Sequence, residues 1–349
     1  MRNASPDIQM STMEFELPSE LEAHEPPEAR GLSRDGVRLL VGTGSSVDHR
    51  RFADLPSALR AGDLLVVNTS ATVPAAVKVP DTDLSVHFST ELRDGSWLVE
   101  LRQAQGKTTA RYRDGVAGRR YALPAGGSVT LTRPYSRDRL WEAEVDRGPF
   151  GSVIGYLRAV GSPIRYGYVP RDWPIAYYQT VFGTEPGSAE MPSASRPFTD
   201  RMVTTLVTKG VRIAPVLLHT GVASQEAHER PYPERFRVPA SSATLINDTR
   251  TTGGRVIAIG TTAVRAVESA VAPDGTVKAA EGWTDLIITP ERGVTVTDGL
   301  LTGFHEPRAS HLDMLEAVAG RRLLRECYQE AIEAGYLWHE FGDLNLLIP

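Results

Sequence analysis

The sequence predicts a mixed α/β protein with a small all-β segment inserted into it. Apolar runs such as Leu64-Leu65-Val66-Val67 and Ile213-Ala214-Pro215-Val216-Leu217-Leu218 end on polar loops, as buried strands do. Residues 255–269 read as strand, glycine turn and helix, and strand and helix patterns alternate from residue 152 onward. Residues 75–150 break that rhythm, with short alternating runs between Gly, Pro and Asp turns and no helical period. The predicted organisation is a disordered leader over 1–13, an α/β domain over 14–74 and 151–349, and an all-β barrel or sandwich over 75–150.

The elements follow in order. Residues 14–27 open with Phe15-Glu16-Leu17-Pro18 and continue as a short helical stretch ending at Pro26-Pro27. Strands are expected at 37–41 and 64–67, the latter reaching Asn68-Thr69-Ser70. Within the insertion, 84–88, 97–101 and 128–132 alternate as half-buried strands. Further strands are expected at 211–218, 255–259 and 285–289, a short helix at 262–270, and one long or broken helical region over 311–336.

Composition narrows the function classes. A net charge of −5 argues against indiscriminate nucleic-acid binding while leaving room for a local basic patch. Twelve Lys and Arg against ten Asp and Glu in residues 76–150 read as a solvated β surface rather than a nucleic-acid stripe. The single cysteine, Cys327, excludes an internal disulfide framework and a thiolate-rich zinc site, and its amphipathic setting predicts a buried thiol. No apolar run reaches the roughly 20 residues of a membrane span, and the polar start lacks a signal peptide's apolar core, so a cytoplasmic location is expected. His305 and His311 are six residues apart, a spacing that fits no zinc motif, and no metal is expected.

Chemistry is concentrated in loops at strand ends, where a rigid scaffold can present it. In Gly260-Thr261-Thr262, free backbone N–H groups and hydroxyls at a helix start suit a carboxylate, a phosphate or a sugar hydroxyl. Arg265 and Glu268, three apart, share a helix face and read as a candidate ion pair. His219, after an apolar strand and before Thr220-Gly221, is either a proton acceptor or a satisfied core histidine. His305 lies between Phe304 and Glu306-Pro307-Arg308, neighbours that tune its charge. Ser193 and Ser195 lack a Gly-x-Ser-x-Gly elbow, which makes a serine hydrolase a poor reading.

Taken in order, these segments resemble the S-adenosylmethionine:tRNA ribosyltransferase-isomerase family. The resemblance runs from Phe15 to Ile348 through Arg60-x-Gly62-Asp63-Leu-Leu-Val-x-Asn68, Tyr178-Gln179-Thr180-Val181, Pro192-x-Ala194 with Phe198-Thr199, and His219-x-Gly221. It continues through Gly260-Thr261-Thr262 with Arg265 and Glu268-Ser269, Phe304-His305-x-Pro307, and Phe341-Gly342-Asp343. It implies a barrel-like α/β domain holding a small β-barrel, and ribosyl transfer from S-adenosylmethionine as co-substrate, with no bound prosthetic group. The implied acceptor is 7-aminomethyl-7-deazaguanine in tRNA, with adenine and methionine released. The resemblance implies His219 and His305 as acid or base and Glu268 and Asp343 as orienting carboxylates. It implies a substrate-binding set of Tyr178, Gln179, Ser193, Arg196, Phe198, Gly221, Gly260, Thr261, Thr262, Arg265, Phe304 and Pro307. The family's Pro-Thr-Ala-Gly-Leu-His-Phe-Thr is here Pro192-Ser193-Ala194-Ser195-Arg196-Pro197-Phe198-Thr199, without the Gly and His, and the Gly221–Val238 loop departs as well. Two other readings therefore stand beside the tRNA reaction: a diverged paralogue that cleaves or rearranges S-adenosylmethionine with a small-molecule acceptor or none, and a non-catalytic S-adenosylmethionine-binding protein.

Overall fold

The computed structural model describes residues 13–349 apart from 45, 107, 137–138 and 223–231. Nearly all of the expected leader, and most of the divergent stretch after Val222, lie outside the described residues. In chain order the elements are β1 (Arg38–Thr43), β2 (Ser46–Arg51), α1 (Leu55–Ala58), β3 (Leu64–Asn68) and β4 (Ser70–Thr72). Then come β5 (Ala76–Lys78), β6 (Leu84–Glu91), β7 (Trp97–Gln105), β8 (Thr108–Arg111), β9 (Arg120–Ala122), β10 (Ser128–Ser136), β11 (Leu140–Asp146) and α2 (Val153–Val160). The remainder comprises β12 (Glu185–Ser188), α3 (Asp200–Thr208), β13 (Arg212–Leu218), β14 (Glu234–Val238), α4 (Ala240–Thr251), β15 (Val256–Ile259) and α5 (Thr261–Glu268). It closes with β16 (Ala280–Thr284), β17 (Gly299–Gly303), α6 (His311–Ala319), α7 (Arg321–Glu333) and β18 (Leu344–Ile348).

A nine-stranded mixed sheet in the order β16-β14-β13-β3-β15-β17-β18-β1-β2 organises the α/β part. At its centre β13, β3, β15 and β17 run parallel, and antiparallel pairs finish both edges. All five residues of β3 are buried, as a strand with cover on both faces requires. Its side chains alternate: Leu64 and Val66 join the core with α4 to α7, while Leu65 and Val67 join the opposite core with Phe52, Phe198 and Leu206. Each such aliphatic side chain stabilises the fold by about 1.5–3 kcal/mol on burial.

Residues of β5 to β11 form a second, wholly antiparallel sheet in the order β5-β6-β7-β11-β10-β9, with β8 on β7. This sheet has its own apolar cluster, including Val86, Phe88, Val99, Leu131 and Trp141, closed at one end by Tyr156 and Leu157 of α2. The molecule is thus mixed α/β, with two large sheets of different character and a short parallel pair of β4 with β12.

Two expectations about elements change. Residues 285–289 are not a strand; the strand is Ala280–Thr284, one step earlier. The backbone there is held by side chains instead of a neighbouring strand: Leu286 N–H donates to Thr284 Oγ1, and the Leu286 carbonyl accepts from Arg265 Nε. The proline-rich 14–27 segment forms 3-10 turns at Ser19–Leu21 and Pro27–Arg30 instead of one helix, since proline supplies no N–H to an α-helical ladder. The helical region over 311–336 is broken at Gly320, whose φ of 76° separates α6 from α7.

Cys327 on α7 is buried against β1. A Cβ at Gly42 would stand 2.4 Å from its sulfur. Gly42→Ala is therefore expected to lower stability by about 1–3 kcal/mol through overpacking. Gly151→Ala, with no heavy atom within 4 Å of the new Cβ, is expected to stay near neutral. Chemical denaturation of both variants checks the contrast.

Candidate active site

A cavity of about 780 Å³ opens between the two large sheets, within the size range of small-molecule sites. Its walls come from the end of β6, the segments around Tyr166 and Met191, the start of α5, the loop after β17, and His339-Glu340 ahead of β18. Strand ends and loops thus converge on one space.

The convergence is built on Asn68. The last residue of β3 is fully buried, and its amide Oδ1 accepts from Leu218 N–H (3.0 Å) and Ser70 N–H (3.1 Å). Its Nδ2 donates to the Leu218 carbonyl (2.8 Å) and to Thr262 Oγ1 (3.2 Å). One side chain therefore ties the end of β13 and the start of α5 to the central strand. Ser70 continues the network, with its hydroxyl 2.6 Å from Ser188 Oγ and 2.7 Å from His219 Nδ1. Gly187 lets the His219 ring approach, since a Cβ there would lie 2.5 Å from the imidazole. At Gly260 a φ of 88° turns the chain from β15 into α5, a conformation that suits glycine.

Of the residues named from the sequence, Tyr178, Ser193, Gly221, Gly260, Thr261, Thr262, Arg265, Phe304, His305 and Pro307 line the cavity. His305 is bonded through Nε2 to Thr302 Oγ1 (2.9 Å) and stacks on His311 with ring centroids 4.6 Å apart. The other six named residues are not among its lining residues. His219 is held in the Ser70 network. Glu268 is sealed under the α5 face, accepting from the N–H groups of Thr295 and Val296 and from Thr297 Oγ1. Asp343 accepts from the N–H groups of Arg38 and Leu337 and pairs with the Arg38 guanidinium. Gln179 bridges the amide and carbonyl of Thr72. Arg196 is buried, donating to the Tyr177 carbonyl and to Glu28. Phe198 packs edge-on against Phe52 and Phe182.

Arg265 does not pair with Glu268 on its own helix. It bonds instead to Glu234 of β14 and to the carbonyls of Thr284 and Leu286, while the charge nearest Glu268 is Arg292 at 3.6 Å. Both residues are buried, so tertiary partners replace the helical pairing.

Several lining residues carry no strong sequence signal: Tyr166, Tyr168, Glu190, Glu234, His339 and Glu340. The Tyr166-Gly167-Tyr168 repeat and the His339-Glu340 pair beside Phe341-Gly342-Asp343 are the only hints. Tyr166 donates to Glu190 and Tyr168 to Glu340. The rings of Tyr166, Tyr168 and His339 form a nearly parallel stack, with interplanar angles of 7° and 11°.

Burial sets the charge of these groups. It pushes His339 down to about 4, and His305 well below the ordinary imidazole value, so both are neutral at pH 7. It pushes Glu340 up to about 7 despite the Tyr168 hydrogen bond, and raises Glu234 despite Arg265. Among the described residues no group of three or more His, Cys, Asp or Glu is placed to hold a metal ion.

Two outcomes are expected. Asn68→Leu leaves backbone groups of Leu218 and Ser70 without their partner, and should cost about 1–3 kcal/mol in denaturant unfolding. His87 and His219 are also held near 4 by burial, against an ordinary value of 6.5. With His339, these imidazoles take up protons less readily folded than unfolded. Stability should therefore be full above about pH 6.5 and fall as pH drops toward 4, read as a declining melting temperature.

The model for the family described as queuosine biosynthesis protein matches residues 10–347. A protein of Acidiphilium cryptum named S-adenosylmethionine:tRNA ribosyltransferase-isomerase is 32% identical, over 97% of this chain and 99% of its own length. A protein of the same name from Heliobacterium modesticaldum is 34% identical, over 98% of this chain and 100% of its own length. The crystal structure of a Thermotoga maritima protein described as S-adenosylmethionine tRNA ribosyltransferase superposes with a TM-score of 0.53 at 27% identity, covering 96% of this chain and 99% of that one. With this match across nearly its whole length, the chain belongs to the queuosine biosynthesis protein family.

Proposed function

We propose that this protein is an S-adenosylmethionine:tRNA ribosyltransferase-isomerase, transferring the ribosyl group of S-adenosylmethionine to 7-aminomethyl-7-deazaguanine in tRNA with release of adenine and methionine. The observation that carries this reading is end-to-end similarity to relatives of that name, in a chain whose family-like loops meet at one cavity. The substrate is then a co-substrate in the cavity and the acceptor a base presented by tRNA, an encounter that fits the cytoplasm. Residues 75–150 are read as an inserted β-barrel domain, supported by their antiparallel connectivity and separate core.

The chemistry starts at the sulfonium, which acidifies the adjacent C5′ proton. A neutral imidazole is the protonation state that accepts a proton, and burial keeps His305 neutral. His305 is assigned as that base, oriented by Thr302. The Gly260-Thr261-Thr262 turn is assigned to the methionine carboxylate or the ribose hydroxyls, since a helix start offers free N–H groups beside the two hydroxyls. His219, Glu268 and Asp343 are assigned positioning work, because their hydrogen bonds run to the scaffold.

The Ser193–Phe198 segment favours keeping the paralogue reading in view. Ser193 faces the cavity, while Arg196 and Phe198 are turned into the core, so the departure there reaches the ligand through Ser193 and its neighbours. Incubation with S-adenosylmethionine, with and without tRNA carrying the aminomethyl-deazaguanine base, separates the readings. Adenine and methionine release that depends on the tRNA is the expected result. Release without it identifies the paralogue, and binding without turnover the non-catalytic protein. Affinity for the tRNA should fall steeply with salt. His305→Ala should lower kcat by about 10²-fold or more, the ordinary contribution of a general base. His219→Ala should chiefly lower the melting temperature.

A further inference from the structure

The cavity is acidic in a way that the assigned roles leave unexplained. Five carboxylates line it, Glu22, Glu190, Glu234, Glu306 and Glu340, and the only lysine or arginine among the described lining residues is Arg265, which Glu234 already engages. The lining imidazoles of His305 and His339 are neutral and offset nothing. Burial first, and then the charge of Glu190, hinders ionisation of Glu340. Of these acids Glu340 is the one with a buried oxygen left without a hydrogen bond, an arrangement that is unfavourable unless a cation completes it.

At one end the site is unfinished. Tyr178 is 4% exposed and its buried hydroxyl has no hydrogen-bond partner. The His339 side chain is 6% exposed and its Nε2 has no hydrogen-bond partner, its nearest carboxylates being Glu22 at 3.7 Å and Glu306 at 4.0 Å. Glu340 Oε1 is buried and unpartnered too, while the positive charge felt from behind, Arg196, is engaged by Glu28. All three residues line the cavity, beside the Tyr166–Tyr168–His339 stack. Both stacked phenols spend their protons on carboxylates, so this end offers negative charge and aromatic surface.

We propose that Tyr166, Tyr168, Tyr178, His339, Glu190 and Glu340 form a subsite for an organic onium group, the cationic part of the substrate. This rests on the S-adenosylmethionine reading, where two groups have that chemistry: the sulfonium and the α-ammonium. The subsite holds the cation by charge and aromatic contact. His305, which adjoins the subsite through Trp338, and the start of α5 are left for the ribose and the proton transfer.

Calorimetric titration of the full-length protein tests this with three ligands: S-adenosylmethionine, S-adenosylhomocysteine, which lacks the sulfonium charge, and 5′-deoxy-5′-dimethylsulfonioadenosine, which lacks the amino acid. Glu340→Gln and Glu190→Gln should each weaken S-adenosylmethionine about tenfold or more, a modest loss for a desolvated charge contact. Tyr168→Phe keeps the ring and should weaken it less. A loss shared by the dimethylsulfonio compound assigns the sulfonium to the subsite, and one shared by S-adenosylhomocysteine assigns the ammonium. Titration at pH 7 in buffers of different ionisation enthalpy gives a second readout. An onium group beside Glu340 favours its ionised form, so binding to the wild type should release a proton, and binding to Glu340→Gln should not. Unchanged affinity for all three ligands in folded Glu340→Gln and Glu190→Gln, with no proton release in the wild type, overturns the proposal. Failure of the wild type to bind S-adenosylmethionine overturns the proposed function and the subsite with it.

Discussion

The side-chain amide of Asn68 is the interaction on which the site depends. A strand buried on both faces has to end somewhere, and its last polar group cannot be left dry without cost. Here that group is used four times over, by two atoms of Leu218, by Ser70 and by Thr262. The end of β13, the β4 segment and the start of α5 are thereby held in register with β3. The cavity wall they form inherits the rigidity of the central sheet.

Around that frame the ionisable groups fall into two kinds. Some are fully committed, such as Glu268 beneath α5 and Asp343 between Arg38 and Leu337, and their hydrogen-bonding capacity serves the fold. Others reach the cavity with capacity left over, as Glu340, His339 and Tyr178 do. Burial acts on both kinds, but only the second can answer a ligand. This division between committed and open groups separates scaffold from chemistry more sharply than residue type does.

Much of the fold was legible because period and punctuation are local. The runs at Leu64–Asn68 and Arg212–Leu218 read as buried strands since every residue, or every second one, had to be apolar. The Gly260 turn was legible because a helix following a strand needs such a residue. The Asp285–Thr289 region misled, because an apolar extended run looks the same whether a strand or an arginine side chain pairs with its backbone. In the site, ten of the named residues meet at the cavity, since they sit in loops marked by Gly, Pro and hydroxyl residues. Glu190 and Glu340 were not legible: a glutamate in a polar loop gives no sign that a tyrosine elsewhere will bury it.

By itself the sequence determined the two kinds of sheet, the order of the strand-end loops and the family to which they belong. Those properties are written in local pattern and in the succession of motifs along the chain. Only the tertiary structure decided which carboxylates face the cavity and which imidazoles are kept neutral. It also separated Arg265 from Glu268 and joined it to Glu234. Charge state and partnership depend on what is folded against a side chain from distant parts of the chain, and desolvation is a property of that assembled surrounding.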